Sequence, residues 1–121
     1  MAYRLRKGTL NNDNYRYVVY TSEQMQLVLM SLKPQEDIPR EIHSGITQFI
    51  KVEEGEATVQ LGTSGKKTFI LKSGDCLFIP ADTYHYVLNS GTNDLKLYTL
   101  YSPPEHPKDR IDITRPENKE D

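Results

Sequence analysis

Short runs of alternating apolar and polar residues, separated by turn-forming clusters, constrain the fold of this chain more than any other feature. Residues 24–30 alternate so that Met25, Leu27 and Leu29 share one face of a strand, and residues 56–61 repeat the pattern. Helical periodicity is hard to find, and Gly-, Ser- and Asn-rich turn signals fall at 62–65, 73–75 and 89–94. We predict strands near 15–21, 24–32, 38–43, 47–53, 56–61, 67–72, 76–80, 83–88 and 95–101. Such short, evenly spaced strands indicate an all-β sandwich or barrel with under about a tenth of the residues in helices.

The length of 121 residues fits one domain, and no internal repeat suggests a fused pair. Apolar residues make up 36% of the chain and charged residues 26%, which is typical of a compact globular domain. We predict an N-terminal strand or arm over 1–22 and a barrel over 23–104. Residues 105–121 follow as a charged C-terminal tail, mobile or laid on the surface.

Charge and composition exclude several classes of partner. The net charge of -2 gives no electrostatic reason to expect nucleic acid or an anionic membrane surface. No apolar run approaches the roughly 20 residues that a membrane-spanning helix needs. The single cysteine, Cys76, cannot form an internal disulfide, so a cytoplasmic location is the simplest expectation.

The segment around His43 carries the first candidate site residues. Glu41 and His43 are two residues apart, so on a regular strand they point to the same side. Gln48 shares a face with Ile50 and Val52, which places its amide on an inward surface where it needs a partner. The local pattern alone favours another interpretation. Ile38 and Ile42 then face inward and leave Glu41 and His43 exposed to solvent.

A second segment changes that balance. Four residues occur at the spacings of the second cupin motif, namely Gly74, Pro80, His85 and Asn89. Asp82 stands where that motif has its middle glycine. The first cupin motif overlays the chain with Glu41 and His43 at its two histidines, Gln48 at its glutamate, Gly55 at its closing glycine and Gln35 at its opening one. The chain therefore resembles the cupin superfamily over about residues 25–105.

The resemblance implies a cupin-type antiparallel double-stranded β-helix barrel, similar to a jelly roll, with a divalent metal ion inside. The implied ligands are His43, His85, Glu41 and Gln48. Together they carry one negative charge, as does the usual cupin set of three imidazoles and one carboxylate. Two imidazoles and one carboxylate suit iron, manganese, nickel or zinc. Gln48 could bind the ion directly or bond to a metal-bound water or substrate. The alternative is a closed barrel without metal, in which Gln48 and His85 bond to each other.

Because the cupin fold hosts many activities, the resemblance leaves three functions open. In the first, the metal acts as a Lewis acid on a small polar molecule, a sugar or carboxylate, and Glu41 or a bound water moves the proton. The second is a non-haem iron oxygenase, and the third a non-catalytic module that binds a small ligand. The chain's ending loosely resembles small cupins likened to mannose-6-phosphate isomerase. Glu41 and Gln48 differ from the residues of the first cupin motif, and these differences favour neither the Lewis-acid enzyme nor the oxygenase.

Many cupins are homodimers, and the pattern adds its own reason to expect one. If the site lines the barrel, apolar residues on the opposite face point outward and need a cover. These residues are Ile38, Ile42, Tyr84, Tyr86 and Leu88. We expect the segment 16–21 to cross to the partner, and His106 to lie on the surface.

Overall fold

The computed structural model describes residues 1–64 and 67–117, which form one helix and ten strands. The helix α1 spans Leu5–Asn11. The strands are β1 (Arg16–Thr21), β2 (Gln26–Leu32), β3 (Asp37–Glu41), β4 (Thr47–Glu54), β5 (Glu56–Leu61), β6 (Lys67–Lys72), β7 (Cys76–Ile79), β8 (His85–Asn89), β9 (Leu95–Ser102) and β10 (Ile111–Asp112). Gly65 of the predicted hairpin turn and residues 118–121 of the predicted tail lie outside the described residues.

The strands form two sheets whose neighbours all pair antiparallel. One sheet has the order β10-β1-β2-β9-β4-β7, and the other has the order β3-β8-β5-β6. Inward side chains of both sheets meet in one core, to which Ile50 and Leu97 contribute from the first sheet and Val59 and Val87 from the second. Each such fully buried aliphatic side chain stabilises the fold by about 1.5–3 kcal/mol. The predicted all-β, double-stranded β-helix fold is confirmed.

The helix α1 precedes β1 within the segment predicted as an N-terminal strand or arm. It packs against β2, β4 and β9 and so covers part of the outer face of the six-stranded sheet. Its seven residues, LRKGTLN, lack an apolar stripe and are too few to form a stable helix alone, so packing must stabilise it. The buried Lys96 Nζ fixes its end by donating to the Asn12 carbonyl oxygen at 2.6 Å. Among the residues that the structure describes, no helix has the length and apolar character needed to cross a membrane.

The described part of the predicted tail lies along the barrel. The two-residue strand β10 pairs with β1, which places Asp112 opposite Arg16. Arg115 then forms an ion pair with Asp37 at 2.8 Å on β3. Because β1 pairs with β2 and β10 of its own chain, the segment 16–21 belongs to its own sheet here.

A β-bulge in β3 lets two residues of opposite parity both face inward. Ile38 pairs with Val87 of β8, whereas Glu41 pairs with His85, so β3 has one residue more than β8 between the two pairs. An extra residue of this kind reverses the alternation beyond it. The prediction that Ile38 lies on the face opposite Glu41 is therefore wrong: Ile38 is 4% exposed and belongs to the core.

Two residues that replace family glycines adopt the left-handed backbone that those glycines suggest. Gln35 has φ 72° and Asp82 has φ 62°. Asp82 also links two loops, since its N–H donates to the His43 carbonyl oxygen at 3.0 Å and its Oδ1 accepts from the Gly45 N–H at 3.1 Å. Asp82 thus replaces the glycine without loss of the turn and adds a contact that glycine cannot make.

Candidate metal centre

Three side chains of the predicted site meet at one point of the barrel. Glu41 ends β3, His85 begins β8 as its register partner, and His43 follows β3 in the next loop. Glu41 Oε2 lies 3.4 Å from His43 Nε2 and 3.3 Å from His85 Nε2. One ligand atom from each of the three residues falls within 4.8 Å of the others. The interpretation with an exposed Glu41 and His43 is wrong, because His43 is 6% exposed and Glu41 faces both imidazoles.

Both imidazoles have an oxygen acceptor beside the nitrogen that points away from Glu41. His85 Nδ1 lies 3.2 Å from the Thr83 carbonyl oxygen, and His43 Nδ1 lies 3.3 Å from Glu105 Oε1. Such partners place the proton on Nδ1 of a neutral ring and leave the Nε2 lone pair free for a metal ion. The two Nε2 atoms are therefore oriented as ligands.

The charges of the cluster keep its carboxylate ionised. Burial opposes ionisation of Glu41, but the adjacent His43 and His85 outweigh it and lower its pKa to about 2. Burial also lowers the pKa of His43, yet its contacts with Glu41 and Glu105 raise it above the ordinary histidine value overall. The electrostatic environment of the cluster thus favours positive charge, which is a requirement for a cation site.

The buried atoms of this cluster fit a metal ion. His43 Nε2, His85 Nε2 and Gln48 Oε1 are buried, and none has a hydrogen-bond partner within residues 1–64 and 67–117. A buried polar atom without a partner costs about 1–3 kcal/mol, so these three atoms, two of which lie beside the Glu41 carboxylate, need an explanation. A divalent ion with two imidazole nitrogens and carboxylate oxygen as ligands supplies one.

Gln48 lies on β4, buried at 2% exposure. Its Nε2 donates to Thr99 Oγ1 at 2.9 Å, which fixes the orientation of the amide. Its Oε1 has no hydrogen-bond partner among the described residues. In the sheet it is the register partner of Tyr101, whose ring packs edge-on against His43 with centroids 5.7 Å apart. No bond between Gln48 and His85 appears in the described structure, which removes the specific contact expected for a closed, metal-free barrel.

Sequence reasoning missed the contribution of the segment after β9. The fully buried Gln26 accepts the backbone N–H groups of Glu105 and His106 at 3.2 and 2.9 Å and donates to the His106 carbonyl oxygen at 2.7 Å. This contact places Glu105 against His43. His106 is not the predicted surface residue, since its ring packs against Tyr101 with centroids 5.2 Å apart. Burial, with the charges of Arg16 and Arg110, lowers its pKa to about 3.

A cavity of about 460 Å³ opens beside the cluster. Glu41, His43 and Glu105 contribute to its wall, and four arginines line it as well: Arg16, Arg40, Arg110 and Arg115. A sequence pattern could not group these arginines, because β1, β3 and the C-terminal segment bring them together from distant parts of the chain. The space suits a small ligand.

Residues 28–101 match the family of the cupin domain. Protein L612 of Acanthamoeba polyphaga mimivirus is 48% identical over 115 residues, which are 94% of this chain and 72% of L612. YrkC of Bacillus subtilis strain 168 is 34% identical over 114 residues, 92% of this chain and 61% of YrkC. The crystal structure of BH2720 from Bacillus halodurans superposes with a TM-score of 0.91 at 34% identity, covering 93% of this chain and 88% of that one.

The family match covers more than half of the chain, and its span agrees with the two-sheet barrel and the histidine-containing cluster. This chain belongs to the cupin family. The resemblance predicted from residues 25–105 is confirmed in both family and fold.

Proposed function

We propose that this cupin domain holds one first-row divalent metal ion on His43 Nε2, His85 Nε2 and Glu41, and that it binds a small polar molecule in the adjacent cavity. The candidate ions are iron, manganese, nickel and zinc. The observation that carries the proposal is the pair of buried imidazole nitrogens, both without a hydrogen-bond partner in the described structure and both within 3.4 Å of one carboxylate oxygen.

The protein's own groups define what such a site can do. A bound ion would polarise a carbonyl or hydroxyl group of a sugar or carboxylate as a Lewis acid. Glu41, which its low pKa keeps ionised at neutral pH, can serve as a ligand or as a proton acceptor for the bound molecule. The Tyr101 ring packs edge-on against His43, and His106 packs edge-on against Tyr101.

Elemental analysis of protein purified without added metal tests the proposal. We expect about one first-row ion per chain. Iron would favour the oxygenase, and zinc, manganese or nickel the Lewis-acid function. His85→Ala should lower the content to about a tenth or less, because it removes one of two imidazole ligands. His106→Gln is the matched control, since it removes a neighbouring imidazole outside the cluster. A wild-type chain that takes up none of the four ions, or a His85→Ala variant that binds as tightly, contradicts the proposal.

The proposed role of Gln48 as a further ligand is testable separately. Gln48→Glu restores the family's residue and adds a second negative charge, so it should strengthen metal binding. The same charge is buried without a counter-ion in metal-free protein, so the metal-free variant should be less stable than wild type. Weaker metal binding in the variant would show that Gln48 does not face the ion.

We also propose that the protein is a homodimer, but through a different surface from the predicted one. Ile38 is in the core, and Tyr86 donates its hydroxyl to Asp37 of its own chain. An apolar row instead crosses the outer face of the six-stranded sheet through register partners Tyr20, Leu27, Leu100, Phe49 and Phe78. Phe78 is 67% exposed and Tyr20 is 43% exposed, which supports a covering partner.

A further inference from the structure

One part of the wall of the cavity beside the metal cluster has more guanidinium charge than its carboxylate neutralises. Arg16 Nη1 donates to Asp112 Oδ2, and Arg110 Nε lies 3.2 Å from the same oxygen. Two arginines therefore share one carboxylate, which leaves this group of three with a net charge of +1. Arg16 is 8% exposed, and its Nε has no hydrogen-bond partner in the described part of the chain.

The other two arginines of the cavity are already engaged. Arg115 forms its ion pair with Asp37 and also donates to the Asp37 carbonyl oxygen at 3.1 Å. Arg40 donates to the Thr63 carbonyl oxygen and stacks over the Tyr84 ring at 4.8 Å from its centroid. Among the described residues, the buried guanidinium N–H of this cavity that lacks a partner is that of Arg16 Nε.

Arg16 also lies in the same cavity wall as the cluster. The lining that includes Arg16 includes Glu41 and His43 as well, together with Glu105 and His106 of the segment after β9. A ligand that reaches the metal cluster through this cavity therefore passes beside Arg16. A buried guanidinium with a free N–H is costly unless a ligand completes it.

We propose that Arg16, with Arg110, forms a subsite for the carboxylate of a small ligand whose other polar group reaches Glu41, His43 and His85. The inference rests on the proposed function, because it places the ligand in the same cavity. A single excess positive charge matches a carboxylate monoanion, and the planar guanidinium fork fits its two oxygens. A phosphate dianion would leave one negative charge unbalanced.

Glycolate and glycolamide test the subsite, because they share one shape and one hydroxyl and differ in charge. Titrations followed by NMR should use wild-type protein in both metal-free and zinc-loaded forms. Glycolate should bind at least about tenfold tighter than glycolamide in both forms. Arg16→Gln should remove that preference, while zinc affinity stays within about threefold. Arg40→Gln, with the same loss of charge at the same cavity, should keep the preference.

The outcomes separate this inference from the proposed function. A protein that takes up no metal but still prefers glycolate through Arg16 refutes the metal site and supports the subsite. A zinc-loaded protein that binds glycolate and glycolamide equally, or an Arg16→Gln variant that keeps the preference, overturns the subsite. Inorganic phosphate that binds more tightly than glycolate, with the same dependence on Arg16, overturns the carboxylate assignment.

Arg16 also pairs with Asp112 across β1 and β10, so its substitution can weaken folding. Arg110→Gln is the second variant, since Arg110 is more exposed and its loss leaves Arg16 and Asp112 as a balanced pair. It removes the excess charge and should weaken glycolate binding by about tenfold without a large change in thermal midpoint. An unchanged glycolate affinity in a folded Arg110→Gln protein overturns the proposal.

Discussion

At the scale of single residues, Glu105 has the clearest effect on the candidate metal centre without belonging to it. Its carboxylate lies 3.3 Å from His43 Nδ1, on the side of the ring opposite Glu41. A carboxylate there fixes the tautomer, holds the ring plane and makes Nε2 more basic. Glu105 is therefore a positioning residue for His43.

Replacing Glu105 should change metal affinity in two steps. Glu105→Gln keeps an acceptor oxygen for Nδ1 and loses only the charge, whereas Glu105→Leu loses both. We expect Glu105→Leu to weaken metal binding by about 10- to 100-fold and Glu105→Gln to weaken it by clearly less. Competition with a chromogenic chelator measures both. Glu23→Gln is the control, because it makes the same change of charge at an exposed site outside the cavity. A Glu105→Leu variant that binds metal within about twofold of wild type would refute the positioning role of Glu105.

His106 should make the protein sensitive to acid. Its pKa is about 3 in the fold, below the ordinary value of 6.5, so the folded state favours the neutral ring. The unfolded chain then binds the proton more readily, and the stability that the neutral ring contributes is lost as pH falls from about 6.5 towards 3. The slope is at most about 1.4 kcal/mol per pH unit. Urea unfolding of His106→Gln should show a flatter decline than wild type between pH 6.5 and 4.5, and parallel declines would contradict this.

At the scale of elements, the bulge in β3 marks the limit of pattern reasoning. Strict alternation allows either Ile38 or Glu41 to face inward, and the structure buries Ile38 while Glu41 faces His85. The motif spacing located Glu41, His43 and His85 correctly as neighbours because it does not depend on local alternation. An extra residue in one strand carries no distinct pattern in the sequence, so alternation alone does not predict the burial of Ile38.

The segment after β9 is the second element that governs the site, and Gln26 fixes it. Gln26→Leu keeps the volume but removes both the acceptor and the donor, so the segment should detach and take Glu105 away from His43. Metal affinity should fall to the level of Glu105→Leu, and trypsin should cleave faster after Lys108 and Arg110. Gln60→Leu, at an exposed position on β5, is the control. Unchanged proteolysis and metal binding would show that Gln26 does not hold the segment.

At the scale of the whole molecule, the strands were predictable and the long-range additions were not. All nine predicted strand segments correspond to strands, because alternation and turns are local properties. The helix α1 and the pairing of β10 depend on packing against residues far away in the sequence. For the same reason the motifs revealed the imidazoles, whereas Gln26, Glu105 and Arg16 became visible only in three dimensions.

The apolar row on the outer sheet face predicts the assembly state. Light scattering at micromolar concentration should give about twice the chain mass of 13.9 kDa. Phe78→Glu places a charge in the row and should give monomers, whereas Ile113→Glu, at another exposed apolar residue, should not. A wild-type chain that elutes as a clean monomer would mean that the row stays exposed and that the dimer must be withdrawn.

The bridge that Asp82 makes between two loops has a consequence for metal selectivity. Because its backbone holds His43 and its side chain holds Gly45, the loop before His85 cannot shift without moving the loop of His43. We therefore expect folding, and not ion binding, to set the separation of the two imidazoles. In the proposed metal site, ions that prefer another separation would have to strain both loops at once, so we expect a turn three residues from a proposed ligand to discriminate between metals of similar chemistry.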